Sequence, residues 1–463
     1  MEPYKVLVVD DSAFMRKIIS DLIETDPAFR VTATAANGRE AVMKVDELSP
    51  DLVTMDVEMP EMNGLEALKV IMAEHPLPVI MLSGINEQGM KETIMALEWG
   101  AFDFIRKPSI SNSQDISAVG EALREQMNEA MLARRQREER EQALKQQETP
   151  PLAAAMPAAP PPKPEPLRKE PQLPGRLPEA KLKPPVLRAP ETGGTRKPAG
   201  PAQPEGKAAA PSPSAPQPAP AARRQQAAGK QPGRSGAEQP RGQALQPPAA
   251  VQAAHSEPPA AGGERRQAAG KGLRKLVAVG TSTGGPRALK AFLENIPEDF
   301  PAPIVIVQHM PPNFTKSLAQ RLNTFSALEV SEAEHGTLLR PGAAYIAPGG
   351  YHLKVAPAGG GQYLIQLSQE EARNGHRPSV DTMFESLLPL TELERHAVIM
   401  TGMGSDGARM MKSLYDSGVT STFAESEETC VVYGMPRSAV ELQCVKHILP
   451  LQEIAPRLVQ AVK

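Results

Sequence analysis

The sequence predicts an α/β protein with two doubly wound parallel-sheet domains joined by a long disordered linker. Three observations predict it. Over residues 1–125, short apolar runs ending in polar residues alternate with helical segments, the signature of strands crossing over through helices. The same alternation resumes near Lys275. Between the two blocks, residues 151–270 hold 27 of the chain's 49 prolines and no aromatic residue. Such a segment cannot bury enough apolar surface to offset its ordering entropy.

In the first block, Val6 to Val9 ends in Asp10 and Asp11, and Leu52 to Met55 ends in Asp56. Val79 to Leu82 ends in Ser83, and Phe102 to Ile105 ends near Lys107 and Pro108. Helical segments read between them include Ser12 to Glu24, Gly38 to Leu48 and Gly64 to Glu74. Ligands of parallel sheets sit at the carboxyl ends of the strands, and Asp10, Asp11, Asp56, Ser83 and Lys107 all fall there. Three carboxylates on one spot repel each other and call for a cation, and an all-oxygen site open to water suits Mg²⁺. A lysine beside them can neutralise a transferred phosphoryl group, and a carboxylate can accept it. The competing reading is that each acid only caps a helix or ends a strand.

This set resembles a response-regulator receiver domain of the flavodoxin-like fold over residues 4 to about 122. The resemblance implies Asp56 as phospho-acceptor, with Mg²⁺ held by Asp10, Asp11, Asp56 and the backbone carbonyl of Glu58. It implies Ser83 as the switch hydroxyl, Phe104 as the switch aromatic and Lys107 as the essential lysine. Serine replaces the commoner threonine at position 83 and still supplies a hydroxyl.

Residues 126–150 form a charged helical extension. The stretch RRQREEREQ has few apolar positions, so its end is expected to be solvated. The linker 151–270 carries 17 Lys and Arg against 8 Asp and Glu. As a flexible coil its ends would average roughly 60 Å apart. Its charges are scattered, which favours a solvated spacer over a docking segment.

The second domain, 271–463, opens with KLVAVGTSTGGPRALKAFL, read as strand, glycine turn and helix. Gly280-x-Ser282-x-Gly284 is a nucleophile-elbow pattern. Such a turn presents a serine at the sheet edge near helix N-terminal amides, although the same turn can hold a phosphate. Ile304 to Val307 ends in Gln308-His309-Met310-Pro311-Pro312, and Ala397 to Met400 ends in Thr401-Gly402-Met403-Gly404-Ser405-Asp406-Gly407. Serine, histidine and aspartate thus each follow a candidate parallel strand. A hydroxyl nucleophile needs an imidazole to take its proton, and the imidazole needs a carboxylate to orient it. His335, His352, His376, His396 and His447 compete for the first role, and Asp381 for the second.

GTSTGGP, QHMPP with Phe314, RPSVD and TGMGSDG, following a receiver, resemble the chemotaxis protein-glutamate methylesterases of the CheB family. The resemblance implies Ser282 as nucleophile, His309 as general base and acid, and Asp406 as orienting acid. The amides of Met403 and Thr283 would form the oxyanion hole. It implies hydrolysis of glutamate γ-methyl esters on chemoreceptor cytoplasmic domains, with deamidation of glutamines in some relatives. No cofactor is expected for that step, and Mg²⁺ only for receiver phosphorylation. A chemotaxis histidine kinase would be the phosphodonor. In the family the unphosphorylated receiver blocks the esterase, through a linker usually much shorter than this one. Effective concentration falls with tether length, so inhibition here is expected to be weaker, and fragment 271–463 only modestly faster than the full chain.

The formal charge of -3 gives no bulk attraction to nucleic acid or membrane. The two cysteines, Cys430 and Cys444, fit a reducing cytoplasm better than a disulfide scaffold. The first residues lack a signal-peptide pattern, and no apolar run approaches ~18 residues, so cytoplasmic location without membrane insertion is expected. A receiver could instead precede a transcriptional regulator, but the second domain shows no basic helix-turn-helix. A non-catalytic binding module is the other alternative, and Ser282→Ala separates it from an esterase.

Overall fold

A computed structural model describes residues 2–84, 86–108, 113–148 and 272–463. The expectation of a disordered linker over 151–270 concerns residues outside this set. The first domain runs β1 (Tyr4–Val9), α1 (Ala13–Glu24), β2 (Phe29–Ala35), α2 (Gly38–Leu48), β3 (Leu52–Asp56), α3 (Gly64–Glu74), β4 (Val79–Ser83), α4 (Glu87–Glu98), β5 (Asp103–Arg106) and α5 (Ser113–Glu148). Its sheet is parallel with order β2-β1-β3-β4-β5, the flavodoxin-like order. The central strands β3 and β4 are buried along their whole length, which explains their continuous apolar sequence. Side chains start the helices. Ser12 accepts from the Met15 amide at α1, and Asn63 and Glu66 form a reciprocal capping box at α3.

Helix α5 continues without a break through the boundary that the sequence places at residue 126. Met127, Ala130 and Met131 are buried, whereas most positions from Arg135 onward are exposed, as the charged sequence there predicts. Arg140 nevertheless reaches the Glu427 carbonyl at 2.8 Å.

The second domain runs β6 (Lys275–Thr281), α6 (Gly285–Leu293), β7 (Ile304–Gln308), α7 (Phe314–Asn323), β8 (Glu329–Glu332), β9 (Ala343–Ile346), β10 (His352–Gly359), β11 (Gln362–Ser368), α8 (Val380–Leu387), β12 (Glu394–Ile399), α9 (Ala408–Asp416), β13 (Ser421–Glu425), α10 (Met435–Glu441), β14 (His447–Leu449) and α11 (Leu451–Val462). Its main sheet is parallel, with order β14-β13-β12-β6-β7-β9-β8; β10 and β11 form a separate antiparallel hairpin. Connections leave β6 toward β7 on one side and later return to β12 on the other. The crevice above β7, β6 and β12 is therefore the topological switch point where such folds bind ligands.

The two domains share one compact unit. A continuous buried apolar cluster joins Met90, Ile94, Leu97 and Phe104 to Phe314, Leu318 and Leu322. Phe104 stacks on Phe314 with ring centroids 4.6 Å apart.

Candidate active site and phospho-acceptor site

Most of the sequence-predicted residues gather at two strand-edge sites, although among the described residues no hydrogen bond joins the Ser282 hydroxyl to His309. In the first domain, the Lys107 ammonium lies 2.7 Å from Asp10 and 2.6 Å from Asp56. Carboxylate oxygens of Asp10, Asp11 and Asp56 all lie within 4.8 Å of one another. Burial pushes the Asp56 carboxyl up to about 6, against the pull of Lys107. Two buried acids held by one lysine leave a surplus of negative charge, and a hard divalent cation fits that donor set. The Glu58 carboxylate is instead engaged by Asn86 Nδ2 at 2.7 Å. Ser83 is buried, and its hydroxyl donates to the Gly84 carbonyl at 3.0 Å and lies 2.7 Å from Thr93 Oγ1.

In the second domain, Ser282 follows the last residue of β6. Thr281 pairs with Gln308 in the β6–β7 register, so one step further sets Ser282 opposite His309. The Ser282 amide donates to the Thr401 carbonyl at 3.0 Å, which ties the same residue to the end of β12. Gln308 braces the turn from below: its Nε2 donates to the Ser282 carbonyl at 2.9 Å, while its Oε1 accepts from Thr281 Oγ1 at 2.7 Å.

The turn places its left-handed residue at a glycine and not at the serine. Ser282 is absent from the residues with positive φ; Gly284 takes the left-handed position, at φ 78°. Glycine is needed next door for space. A Cβ on Gly285 would lie 1.8 Å from Gln308 Oε1.

His309 Nε2 and Asp406 Oδ2 are 2.9 Å apart. Burial works against the Asp406 charge, but bonds from His309, Asn374 and the Val380 amide hold the carboxyl well below its usual range. An ionised carboxylate only accepts, so Nε2 carries the proton and Nδ1 presents a lone pair. Nδ1 is buried and has no hydrogen-bond partner among the described residues. Ser282 is 8 % exposed, and the His309 side chain 6 %. No acceptor for the Thr283 or Met403 amide is found among the described residues. Thr401 Oγ1 donates to the Thr283 carbonyl at 2.9 Å, which links the two loops carrying those amides.

Asp381, the rival acid, does not touch His309. Its Oδ1 accepts from the Gly407 and Met410 amides, both at 3.1 Å, and so anchors the start of α9. Nor does it cap α8, the alternative role its position suggests; Ser379 does that, accepting from the Thr382 amide. Ser379 also donates to Asp406 Oδ1 at 2.9 Å. Of the competing histidines, His352 accepts from the Ser379 amide at 3.3 Å, and His396 pairs with Ser421 at 2.7 Å. Both are structural.

Two residues at the site, Asn374 and Asp103, carry no expectation from the sequence, and a third, His376, read as a rival for the base, lies against the base instead. Asn374 Nδ2 donates to Asp406 Oδ1 at 2.8 Å. The His376 ring lies flat on His309. Asp103 of the first domain accepts from Thr283 Oγ1 at 2.5 Å. The Asn374-Gly375 dipeptide is a readable turn signal, whereas nothing local marks Asp103.

Residues 277–458 match the model of the CheB methylesterase family, and residues 6–119 that of the response regulator receiver domain. A protein-glutamate methylesterase/protein-glutamine glutaminase of Halalkalibacterium halodurans is 37% identical over 99% of this chain and 98% of its own length. The protein of the same name from Geobacillus kaustophilus is 39% identical over 100% and 99%. The crystal structure of the Thermotoga maritima CheB methylesterase catalytic domain is 44% identical, covering 41% of this chain and 99% of that one, with TM-score 0.40.

Proposed function

This chain belongs to the CheB methylesterase family and carries a response regulator receiver domain; from that premise we propose that it demethylates chemoreceptors through Ser282, His309 and Asp406, under control of phosphorylation at Asp56. The observation that carries this reading is the buried His309–Asp406 pair, with Nδ1 of His309 left as an unspent acceptor beside the Ser282 turn.

The Ser282 hydroxyl attacks the γ-carbonyl of a methylated glutamate while His309 Nδ1 takes its proton. Asp406 holds the Nε2 proton and stabilises the imidazolium. The carbonyl oxygen, now anionic, is received by the Thr283 and Met403 amides. On collapse His309 returns the proton to the leaving oxygen, and methanol departs. Water, deprotonated by His309, then attacks the acyl-serine, and His309 passes that proton to the departing Ser282 oxygen, which frees the glutamate and restores the enzyme. A glutamine side chain enters the same sequence with ammonia as leaving group, which suits the double name of the relatives.

In the receiver, Asp10, Asp11 and Asp56, with the Glu58 backbone carbonyl, would hold Mg²⁺, which when bound neutralises phosphoryl oxygens. Lys107 adds a fixed positive charge there. A chemotaxis histidine kinase is the phosphodonor. The interdomain contacts support an inhibitory role for the unphosphorylated receiver. Asp103 engages the hydroxyl of Thr283, one residue from the nucleophile, and Phe104 is stacked against Phe314. Turning Ser83 toward a phosphoryl group on Asp56 would free space for Phe104 to leave that stack.

The test is methanol release from methylated receptor fragments, with and without a small-molecule phosphodonor. Wild type should be stimulated, Asp56→Asn should not, and Ser282→Ala should release none while still binding receptor. Methanol release by Ser282→Ala at the wild-type rate would sink the assignment.

A further inference from the structure

Between β11 and α8, the four residues Arg373-Asn374-Gly375-His376 form a tight turn. The Arg373 and His376 backbones exchange hydrogen bonds, each 3.0 Å. Asn374 and Gly375 both take left-handed angles, φ 55° and 81°, as a two-residue turn of this hand requires. The turn is fastened to α8 through Arg373, which pairs with Glu385 and lies 3.9 Å from Asp381.

Its two polar side chains reach opposite ends of the same dyad. Asn374 Nδ2 bridges Asp406 Oδ1 at 2.8 Å and Asp381 Oδ2 at 2.9 Å. The His376 ring covers the His309 ring face to face, with centroids 3.7 Å apart and planes 8° apart. No chemical step described above uses His376.

We propose that this turn is a clamp on the His309–Asp406 dyad, with His376 a positioning residue that fixes the plane of the base and Asn374 one that fixes the carboxylate. A flat ring at stacking distance leaves His309 unable to tilt without losing that contact, so the plane of the base stays fixed while Nε2 stays bonded to Asp406. The stack works only if His376 is uncharged when His309 becomes imidazolium. Burial, then the neighbouring His309 charge, bring His376 down to about 4, with Asp406 opposing. A neutral aromatic face against a transient cation is attractive, whereas two imidazolium rings at this distance would repel.

The inference rests on His309 being the base, and the experiment keeps the two claims apart. Steady-state methanol release is measured on the full phosphorylated chain with His309→Ala, His376→Ala, His376→Phe and Asn374→Ala. Proton NMR records the low-field resonance of the His309 Nε2 proton. Stacked aromatic pairs contribute enough that His376→Ala should lower kcat by about tenfold with KM within twofold. It should also broaden or shift the low-field proton. His376→Phe keeps a flat ring and should restore most of kcat and the resonance. Asn374→Ala should move the same resonance. Full kcat and an unmoved resonance in His376→Ala would overturn the clamp. So would a His376→Phe variant as impaired as His376→Ala, because stacking would then not be the property that matters. If His376→Ala fails to fold, the His376→Phe result decides alone. Activity surviving in His309→Ala would instead remove the base assignment and leave the clamp without a function.

Discussion

Arg321→Ala should switch the esterase on without phosphorylation. Arg321 on α7 grips Glu98 on α4 through two nitrogens, Nε to Oε1 at 3.1 Å and Nη2 to Oε2 at 2.9 Å. The Glu98 side chain is only 4 % exposed, so it has little water to fall back on while the domains are docked. Hydrogen bonds to charged groups contribute about 1.5–3 kcal/mol. Removing this pair lowers the docked-to-undocked ratio by about ten- to a hundredfold, because undocking restores water to the stranded carboxylate. The assay is basal methanol release without phosphodonor. Basal activity should approach the phosphorylated wild-type rate, and adding phosphodonor should then change little. The double variant Glu98→Ala/Arg321→Ala should regain part of the inhibition, since no buried charge is left unpaired. A basal rate within twofold of wild type, in a variant that still phosphorylates and folds, would refute the reasoning that this contact holds the inhibited state.

Three further outcomes follow, two from the site and one from the buried histidine of β12. Asp406→Asn should lower kcat by about four orders of magnitude, the size seen when a triad carboxylate becomes an amide; an amide nitrogen facing His309 Nε2 would favour the tautomer with the proton on Nδ1, which cannot act as base, and near-normal kcat would contradict this. Gly285→Ala should lower both kcat and Tm, because its Cβ would strike Gln308, the brace of the Ser282 carbonyl; overpacking costs about 1–3 kcal/mol, read as several degrees by differential scanning calorimetry. Burial holds His396 down at about 4 against 6.5. The unfolded chain therefore takes up that proton first, and stability is lost as pH falls from about 6.5 to about 4. His396→Gln should flatten this acid-side loss by at most about 1.4 kcal/mol per pH unit, measured by urea unfolding; an unchanged slope would refute the assignment.

What the sequence disclosed, and what it hid, divide along a physical line. Asp10, Asp56, Ser83, Ser282 and His309 all stand at the ends of apolar runs. A parallel strand is buried on both faces, so its sequence announces both itself and its end, and the carboxyl edge is where parallel sheets gather chemistry. Asp406 was legible almost as well, a few residues past β12. Asp381 looked comparable in sequence, and only the fold shows it spent on the α9 amides. His376 and Asn374 sit on a turn leaving an antiparallel hairpin, where no strand-end rule points inward. Their dipeptide signal tells that the chain reverses, not what the reversed segment faces. Asp103 is more hidden still, because it stands at the first residue of β5, the end that the rule treats as inert. Its partner Thr283 lies 180 residues away, in another domain. A side chain whose role is set by a surface from elsewhere in the chain has no local cause to leave a local trace. The chemistry of this protein is therefore written at strand ends, while its control and its fine alignment are written in contacts between segments.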